Sequence, residues 1–257
     1  MTPRDVLVLG CGRSGTSIFG ELFEALPGYR YLSEPSLDDL RCTERGGGAI
    51  AVKVPRVDPR LPAPPGLPLP LDAMVEALHE PLVVWIVRHP LDAVASLRVG
   101  IDDGWGHHPR PPDWERWLDR PLVERCAHHW ATINGAGWGA VASQVAATVR
   151  FEDLIADPEA TARATARLVG ADADADAATA AAWWSRVRDR DDDQFVEAQT
   201  SRRRSRADHT VRVGRWRENL EPTDVARIAP IVADAAATFG YELPSRPGDH
   251  EHREDRP

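Results

Sequence analysis

The sequence predicts a three-layer α/β domain in which a central parallel sheet is flanked by helices. Short apolar runs alternate along the chain with stretches of helical periodicity, which is typical of parallel strands joined by crossover helices. The most apolar run, Leu82 to Val87, has no polar residue and therefore predicts a strand that is buried on both faces. A glycine-rich turn, residues 10–17, lies between the first apolar run and the first helical stretch.

Each element is predicted from its periodicity and from the glycine or proline near its end. The predicted strands are residues 5–10, 49–54, 82–87 and 147–153, with a short apolar piece at 29–32. The predicted helices are residues 15–26, 73–79, 92–99, most of 113–146, 158–169, 175–188 and 222–238. The prolines of residues 58–72 exclude a regular helix or a central strand, so this segment is expected to be a surface loop.

Length and composition favour one sizeable domain, expected over residues 1–243, followed by a disordered polar tail at 244–257. The chain has 257 residues, 42% of them hydrophobic. Its net charge of −9 argues against a broad surface for nucleic acid or for an acidic membrane. No apolar run approaches the roughly 18 residues of a membrane span, and no signal peptide is recognisable at the N-terminus. We therefore expect a cytoplasmic protein, with Cys11, Cys42 and Cys126 as reduced thiols.

The glycine-rich turn has the composition of an anion-binding loop of the P-loop type. Gly10, Gly12 and Gly15 allow backbone N–H groups to converge on an anion, and three hydroxyl side chains add donors. A nucleoside triphosphatase would carry lysine where Thr16 stands, whereas here Arg13 supplies positive charge from within the loop. This arrangement suits one substituted phosphate held without magnesium. A tight turn with no ligand is the alternative.

A second basic segment, Arg88 to Ser96, follows the predicted central strand. An arginine at the carboxyl end of a strand and a serine on the next helix can both reach one phosphate in the crevice. A capped helix with a structural salt bridge would give the same pattern.

Lys53 is the only lysine among the 31 basic residues of the chain. A compact ammonium can approach a small anionic centre where a guanidinium would not fit. We therefore expect Lys53 to have a specific role, with chance as the alternative.

Four segments resemble, in their order along the chain, the signature regions of the sulfotransferases that use 3′-phosphoadenosine 5′-phosphosulfate (PAPS). They are GCGRSGTS (10–17), VVWIVRHPLDAVAS (83–96), VRFEDLIADPEAT (149–161) and VRVGRWRENL (211–220). The resemblance covers about residues 5–220 and implies a P-loop-type α/β enzyme that moves a sulfuryl group from PAPS to a hydroxyl without a metal. The arginine in place of a loop lysine resembles the carbohydrate and tyrosylprotein sulfotransferases more than the aryl ones.

The resemblance also implies a role for each matching residue in holding the donor. The residues that match those holding the 5′-phosphate are Gly12, Arg13, Ser14, Gly15, Thr16 and Ser17. Those that match the 3′-phosphate site are Arg88, Ser96, Arg212 and Gly214. Phe151 stands where the family often contacts adenine, and Trp216 is a second candidate, with core packing as the alternative for both. The arginines among residues 202–206, together with Arg215 and Arg217, are expected to form a mobile basic lid or else a solvated loop.

The catalytic base is assigned by the same resemblance. Aryl-type relatives use a histidine two residues after a lysine, and Pro55 occupies that position after Lys53. Other relatives use a glutamate after the second strand, and Glu34 matches it. The resemblance therefore implies that Glu34 is the general base, while Lys53 and Arg13 stabilise charge on the transferring group. A surface or helix-capping carboxylate is the alternative for Glu34.

Two other functions fit parts of the pattern. A small-molecule kinase would need a lysine in the loop and a carboxylate for magnesium. A module that only binds a nucleotide or a protein would not require Glu34 and Lys53 to face the donor. Cys126, His128, His129 and the pair His107-His108 lack the spacing of a metal site, so these histidines are expected to line the acceptor pocket or to lie on a helix surface. Residues 104–117 are expected either to line the acceptor pocket or to form an ordinary packed loop, and the acceptor is expected to be a small molecule such as a sugar, glycolipid or natural product.

Overall fold

The predicted fold class is confirmed by a computed structural model of the chain. It describes residues 3–54, 56, 58, 60–79, 81–102, 104–172, 178–187 and 212–244. A parallel sheet of five strands is flanked by helices on both faces. The arginines at 202–206 and residues 245–257 of the predicted tail lie outside the described residues.

The sheet has the strand order β2-β3-β1-β4-β5, and each neighbouring pair is parallel. The strands are β1 (Val6–Gly10), β2 (Tyr29–Ser33), β3 (Ala49–Lys53), β4 (Leu82–Val87) and β5 (Val145–Arg150). Since β1 is parallel to its neighbours β3 and β4, the carboxyl ends of these three strands lie at one edge of the sheet. The loops that follow the three strands meet there. Ligands of open α/β sheets bind at this carboxyl edge.

The helices alternate with the strands along the chain. They are α1 (Thr16–Gly20), α2 (Leu22–Ala25), α3 (Leu37–Arg41), α4 (Leu71–Ala77), α5 (Pro90–Ile101), α6 (Leu122–Thr132), α7 (Trp138–Val141), α8 (Phe151–Ala156), α9 (Pro158–Val169), α10 (Ala181–Val187), α11 (Trp216–Asn219) and α12 (Pro222–Thr238). Two 3₁₀ turns, Trp114–Trp117 and Ala142–Gln144, and a π turn, Ile133–Gly137, complete the described elements. Among the described residues, no helix has the length and apolar character needed to cross a membrane.

The sheet separates two hydrophobic cores. Alternate residues of β1 serve different sides: Leu7 and Leu9 belong to the core that includes α5, α6 and α12, and Val6 and Val8 belong to the core that includes α1, α8 and α9. Side chains of a strand alternate between the two faces of the sheet, and both sets are buried in β1. Both faces of the sheet are therefore covered, as the apolar runs predict.

Several predicted boundaries are wrong. The helix predicted at 15–26 is interrupted at Glu21, after Gly20, where a β-carbon would lie 2.5 Å from the Tyr31 hydroxyl. The strand predicted at 147–153 ends at Arg150, because Phe151 already begins α8. The helical stretch 113–146 consists of several helices and turns, whereas the helix predicted at 222–238 has the predicted bounds.

Candidate active site

The loop from Cys11 to Gly15 lies at the carboxyl edge of the sheet, directly before α1. Arg13 and Gly15 have positive φ angles of 64° and 94°. Gly15 is required on two grounds, since a β-carbon there would lie 2.4 Å from a ring carbon of Phe151 and would also meet the steric cost of left-handed backbone. Phe151 therefore packs directly on the loop. Burial raises the pKa of the Cys11 thiol, which disfavours the reactive thiolate.

Two arginine side chains meet at Ser96, on α5, and a third, that of Arg88, contacts the backbone of Arg13 and of Arg212; we call these four arginines the arginine cluster. Arg13 Nε donates to Ser96 Oγ at 3.0 Å, and Arg215 donates to the same oxygen at 3.3 Å. Arg88 donates to the carbonyl of Arg13 at 3.1 Å and to that of Arg212. Its guanidinium also lies 4.3 Å from the centre of the Phe151 ring. The cluster joins three segments that are far apart in sequence.

The arginine cluster is mostly buried. Arg88, Arg212 and Arg215 expose 4%, 1% and 1% of their surfaces. Guanidinium groups at this depth repel one another more strongly than at the surface, and an anion placed among them would be held correspondingly tightly. The cluster therefore has the charge that attracts a dianionic group such as a phosphate.

Two members of the late basic segment differ from their predicted positions. Arg212 donates through Nη1 to the carbonyl of Val187 at 2.5 Å, so it is its backbone that contacts Arg88. Arg215, which the sequence assigned to a lid or solvated loop, is instead buried beside Ser96. Arg217 is exposed, and its guanidinium lies 4.6 Å from the centre of the Trp216 ring.

A cavity of about 240 Å³ borders the same loop. Its lining consists of Gly12, Arg13, Thr16, Ser17, Glu34, Lys53, Val54, Gly106, His107 and His108. Arg13 thus borders this cavity and also contacts Ser96 in the arginine cluster. We call the space the Glu34 cavity.

Glu34 and Lys53 form an ion pair in this cavity. Lys53 Nζ donates to Glu34 Oε1 at 2.5 Å, and the backbone N–H of Glu34 donates to the Lys53 carbonyl at 2.9 Å. The Lys53 side chain exposes 6% of its surface and that of Glu34 exposes 57%. The buried ammonium thus lies beneath a carboxylate that reaches solvent.

Glu34 has an uncommon backbone conformation. Its φ is 53°, in the left-handed region, which costs a non-glycine residue about 1–2 kcal/mol. The ion pair and the hydrogen bond to Lys53 hold the residue there. Strain of this kind is concentrated at functional sites, and here it directs the carboxylate toward the cavity.

His107 forms the wall of the Glu34 cavity that faces the loop. Its ring occupies the space beside two glycines: a β-carbon on Gly12 would lie 3.6 Å from Nδ1, and one on Gly100 would lie 2.2 Å from Nε2. Behind it lies His129, with ring centres 6.3 Å apart. Burial lowers the pKa of His129 to about 3, so this histidine is neutral. Its Nδ1 accepts from Trp105 at 3.0 Å, which leaves the proton on Nε2.

Only part of the 104–117 segment reaches the cavity. Gly106, His107 and His108 line it, whereas the tryptophans pack elsewhere. Trp117 stacks on His128 at 4.0 Å, and Asp113 bonds to the same histidine at 2.7 Å. No group of three potential metal ligands occurs among the residues that the structure describes.

A larger cavity, of about 390 Å³, lies on the far side of residues 212–216. His89, Trp216 and Glu152 are among its lining residues, and it shares Gly214 with the predicted site. The side chains predicted for catalysis line the smaller cavity.

The structure brings together most of the residues that the sequence singles out. Arg13, Arg88 and Ser96 meet in the arginine cluster, and Glu34 and Lys53 meet in the cavity. Sequence reasoning anticipated a pocket position for His107 and His108, missed Asp92 and misjudged Arg215. An acid in the first turn of a helix was the available signal for Asp92, and it does not identify the partner of that acid.

The fold and this edge define a P-loop-type α/β protein in which a group of arginines lies near an acid–ammonium pair. The model of the sulfotransferase family matches residues 65–176, which include Arg88, Ser96 and Phe151. Over this segment the chain is similar to the sulfotransferase family, in agreement with the resemblance that the sequence segments carry. The nearer likeness to carbohydrate and tyrosylprotein sulfotransferases stays a prediction.

Solved structures have the same fold at low sequence identity. The sulfotransferase domain from the curacin biosynthetic pathway is 12% identical, with a TM-score of 0.61, and the match covers 94% of this chain and 99% of that one. The sulfotransferase domain from the olefin synthase of Synechococcus PCC 7002 is 16% identical, with a TM-score of 0.56 and coverage of 95% and 97%. The mouse sulfotransferase SULT7A1 complexed with PAP is 18% identical, with a TM-score of 0.52 and coverage of 91% and 84%. A comparison with curated proteins gives no match.

Proposed function

We propose that this chain transfers a sulfuryl group from PAPS to a hydroxyl of a small molecule. The position of Arg13 carries the proposal, because this side chain contacts Ser96 in the arginine cluster and also borders the Glu34 cavity. A donor with a phosphate at each end of its ribose would span these two places. Its sulfur would then lie beside Lys53 and Glu34.

The positions of the arginines and of the glycine-rich loop suggest which residues would contact each phosphate of PAPS. Arg88, Ser96 and Arg215 would hold the 3′-phosphate, with Arg212 and Gly214 supplying the segment that covers it. The loop from Gly12 to Ser17 would hold the 5′-phosphate. The mouse protein of the same fold is complexed with PAP, which supports PAPS as the donor for this chain. No metal is required, since arginines supply the positive charge.

Glu34 would begin the reaction by removing the proton of the acceptor hydroxyl. The acceptor oxygen then forms a bond to sulfur, and the bond from sulfur to the bridging oxygen of the 5′-phosphate breaks. Lys53 and Arg13 stabilise the negative charge that collects on that bridging oxygen. The products are the sulfated acceptor and adenosine 3′,5′-bisphosphate, and the proton remains on Glu34 until it passes to solvent.

Lys53 is suited to serve both partners of the transfer. An ammonium has three N–H donors, so it can bond to Glu34 and to an oxygen of the transferring group together. This keeps the base and the sulfur within a few ångströms of each other, which is the geometric requirement for in-line attack.

The lining of the cavity indicates the acceptor class. Val54 is the apolar member of a set that otherwise consists of glycines and polar or charged side chains, and the lining as described includes no tryptophan, tyrosine or phenylalanine. A flat phenol would find little apolar surface there. An aliphatic alcohol, such as that of a sugar, glycolipid or polar natural product, fits better, and the cytoplasm, where PAPS is made, is the proposed compartment.

Ligand-induced thermal shifts test the donor against the kinase alternative. We expect adenosine 3′,5′-bisphosphate to raise the melting temperature without magnesium, since a ligand at 100 times its dissociation constant stabilises by about 2.7 kcal/mol. Magnesium with ATP should have a much smaller effect. The reverse order would favour a kinase. Turnover of labelled PAPS with a panel of alcohols then separates an enzyme from a module that only binds.

We expect Arg88→Ala to weaken binding of adenosine 3′,5′-bisphosphate by about ten- to a hundredfold, because it removes a charge-assisted contact to phosphate. Titration calorimetry measures this directly. Arg45→Ala is a matched control, since Arg45 pairs with Asp5 at 2.7 Å at the opposite edge of the sheet. An unchanged dissociation constant in Arg88→Ala would remove this residue from the donor site.

A further inference from the structure

Residues 212–216 form a segment outside the sheet that contacts Arg88 and Ser96 in the arginine cluster. The carbonyl of Arg212 accepts from Arg88, and the side chain of Arg215 donates to Ser96. Gly214 lies between them with a φ of 80°, and Val213 exposes its side chain. The position of this segment therefore decides where Arg215 can place its charge.

Asp92 holds this segment in place. Its carboxylate accepts from the backbone N–H of Gly214 at 2.7 Å and from that of Trp216 at 2.9 Å, using a different oxygen for each. The residue is 1% exposed. Hydrogen bonds to a charged group are shorter and stronger than neutral ones, and two of them to one short segment fix its orientation as well as its distance.

The same helix presents Asp92 and Ser96. They are four residues apart on α5 and so lie on the same face of the helix. Asp92 thus holds Gly214 and Trp216 one helical turn from Ser96. Arg215 lies between these two residues in sequence and donates to Ser96. The helix sets the distance between the phosphate-facing serine and the arginine that the segment carries.

A buried carboxylate on this helix could also be explained by stability alone, and Glu152 provides the comparison. Glu152 accepts from the backbone N–H of His89 at 2.8 Å and from the Tyr241 hydroxyl at 2.8 Å. It fastens the start of α5 to α8 and to the end of the chain that follows α12. Its two bonds as the structure describes them go to His89 and Tyr241 rather than to residues 212–216, so its loss should affect stability more than the arginine cluster.

We propose that Asp92 is a positioning residue for the donor site: it holds residues 212–216 so that Arg215 and Ser96 form one phosphate-binding unit. The proposal rests on the proposed function, because the phosphate is taken to be that of PAPS. It adds a residue that touches neither donor nor acceptor and that acts through two backbone amides.

The test compares Asp92→Asn with Glu152→Gln. Asparagine keeps one acceptor but places an NH₂ group against the second amide, so Asp92→Asn loses one anchor and repels at the other. We expect it to raise the dissociation constant of adenosine 3′,5′-bisphosphate and the KM for PAPS by about ten- to a hundredfold, with the acceptor KM unchanged. Glu152→Gln should lower the melting temperature about as much as Asp92→Asn does. It should leave the dissociation constant of adenosine 3′,5′-bisphosphate and the KM for PAPS within about twofold of wild type.

Hydrogen exchange of residues 212–216 provides a second measurement that needs no donor. Protection of the Gly214 and Trp216 amides is expected in the wild type and should fall in Asp92→Asn. Rapid exchange of these amides in the wild-type protein would overturn the proposal, and this readout also decides the matter if Asp92→Asn does not fold. The proposal would also be overturned if the Gly214 and Trp216 amides exchange faster in Asp92→Asn while its affinity for adenosine 3′,5′-bisphosphate is unchanged.

Failure of the proposed function gives a different pattern. Inorganic phosphate is used as a second probe for this purpose. A wild-type protein that binds phosphate but not adenosine 3′,5′-bisphosphate would contradict the donor, while the effect of Asp92→Asn on phosphate affinity would still support its positioning role. Binding of neither probe would overturn both.

Discussion

Glu34→Gln is expected to reduce kcat by about 10²–10⁴-fold, the usual contribution of a general base. Glutamine has the shape of glutamate but cannot accept the proton of the acceptor hydroxyl. The affinity for adenosine 3′,5′-bisphosphate should change little, because Glu34 makes its ion pair with Lys53 and is not among the residues that contact Ser96 in the arginine cluster. Single-turnover measurement with labelled PAPS separates the chemical step from binding and product release.

A matched control for this variant is Glu24→Gln. Glu24 is an exposed glutamate on α2 that does not line the Glu34 cavity. It should retain full turnover. If Glu34→Gln also keeps near-normal turnover, the base is another residue, and His107 and His108 are then the next candidates in the cavity wall.

Replacement of Lys53 is expected to have the second large effect. Lys53→Met should lower kcat by about 10²–10³-fold, as observed when one donor to a developing negative charge is removed. Lys53→Arg should restore only a small part of this loss, because the broad guanidinium must fit where the ammonium side chain is 6% exposed and lies 2.5 Å from Glu34. The measurement is kcat for both variants at saturating donor.

The two variants also test whether Lys53 and Glu34 act as a unit. Residues that contact each other give non-additive effects, so the double variant should be hardly slower than the worse single variant. Full additivity would mean that the ion pair plays no part in the transfer. Near-wild-type turnover in Lys53→Arg would show that a positive charge suffices and that the compact shape of lysine does not matter.

Much of the fold could be predicted because it depends on local pattern. The apolar run at 82–87 has the length and purity of a strand buried on both faces, and the structure gives β4 these bounds. The helix at 222–238 is likewise bounded by Pro222 and by the glycine that follows its end. The boundary at Phe151 could not be predicted, since a β-like sequence continues past the point where the ring turns to pack on Gly15. Such a turn is a property of tertiary packing.

The same distinction applies to the site. Arg13, Arg88 and Ser96 belong to recognisable segments, so their meeting could be expected, whereas their hydrogen bonds span 83 and 75 residues and could not be derived from spacing. Arg215 and Asp92 reach across 119 to 124 residues, and neither has a local signal that distinguishes it from a surface charge. Arg212 is the opposite case. It belongs to a segment that matches the family, yet its guanidinium bonds to the carbonyl of Val187.

The unequal exposure of the ion pair has a consequence for screening. Glu34 exposes 57% of its side chain and Lys53 only 6%, so the group that would deprotonate an alcohol is at the rim, with the ammonium below it. An alcohol then needs to insert little more than its reacting oxygen and the adjoining carbon. The bulk of the molecule can stay in solvent, and the 240 Å³ of the cavity set no upper limit on its size. A library for this protein should therefore include long chains, oligosaccharides and conjugates with a terminal alcohol beside the usual compact metabolites.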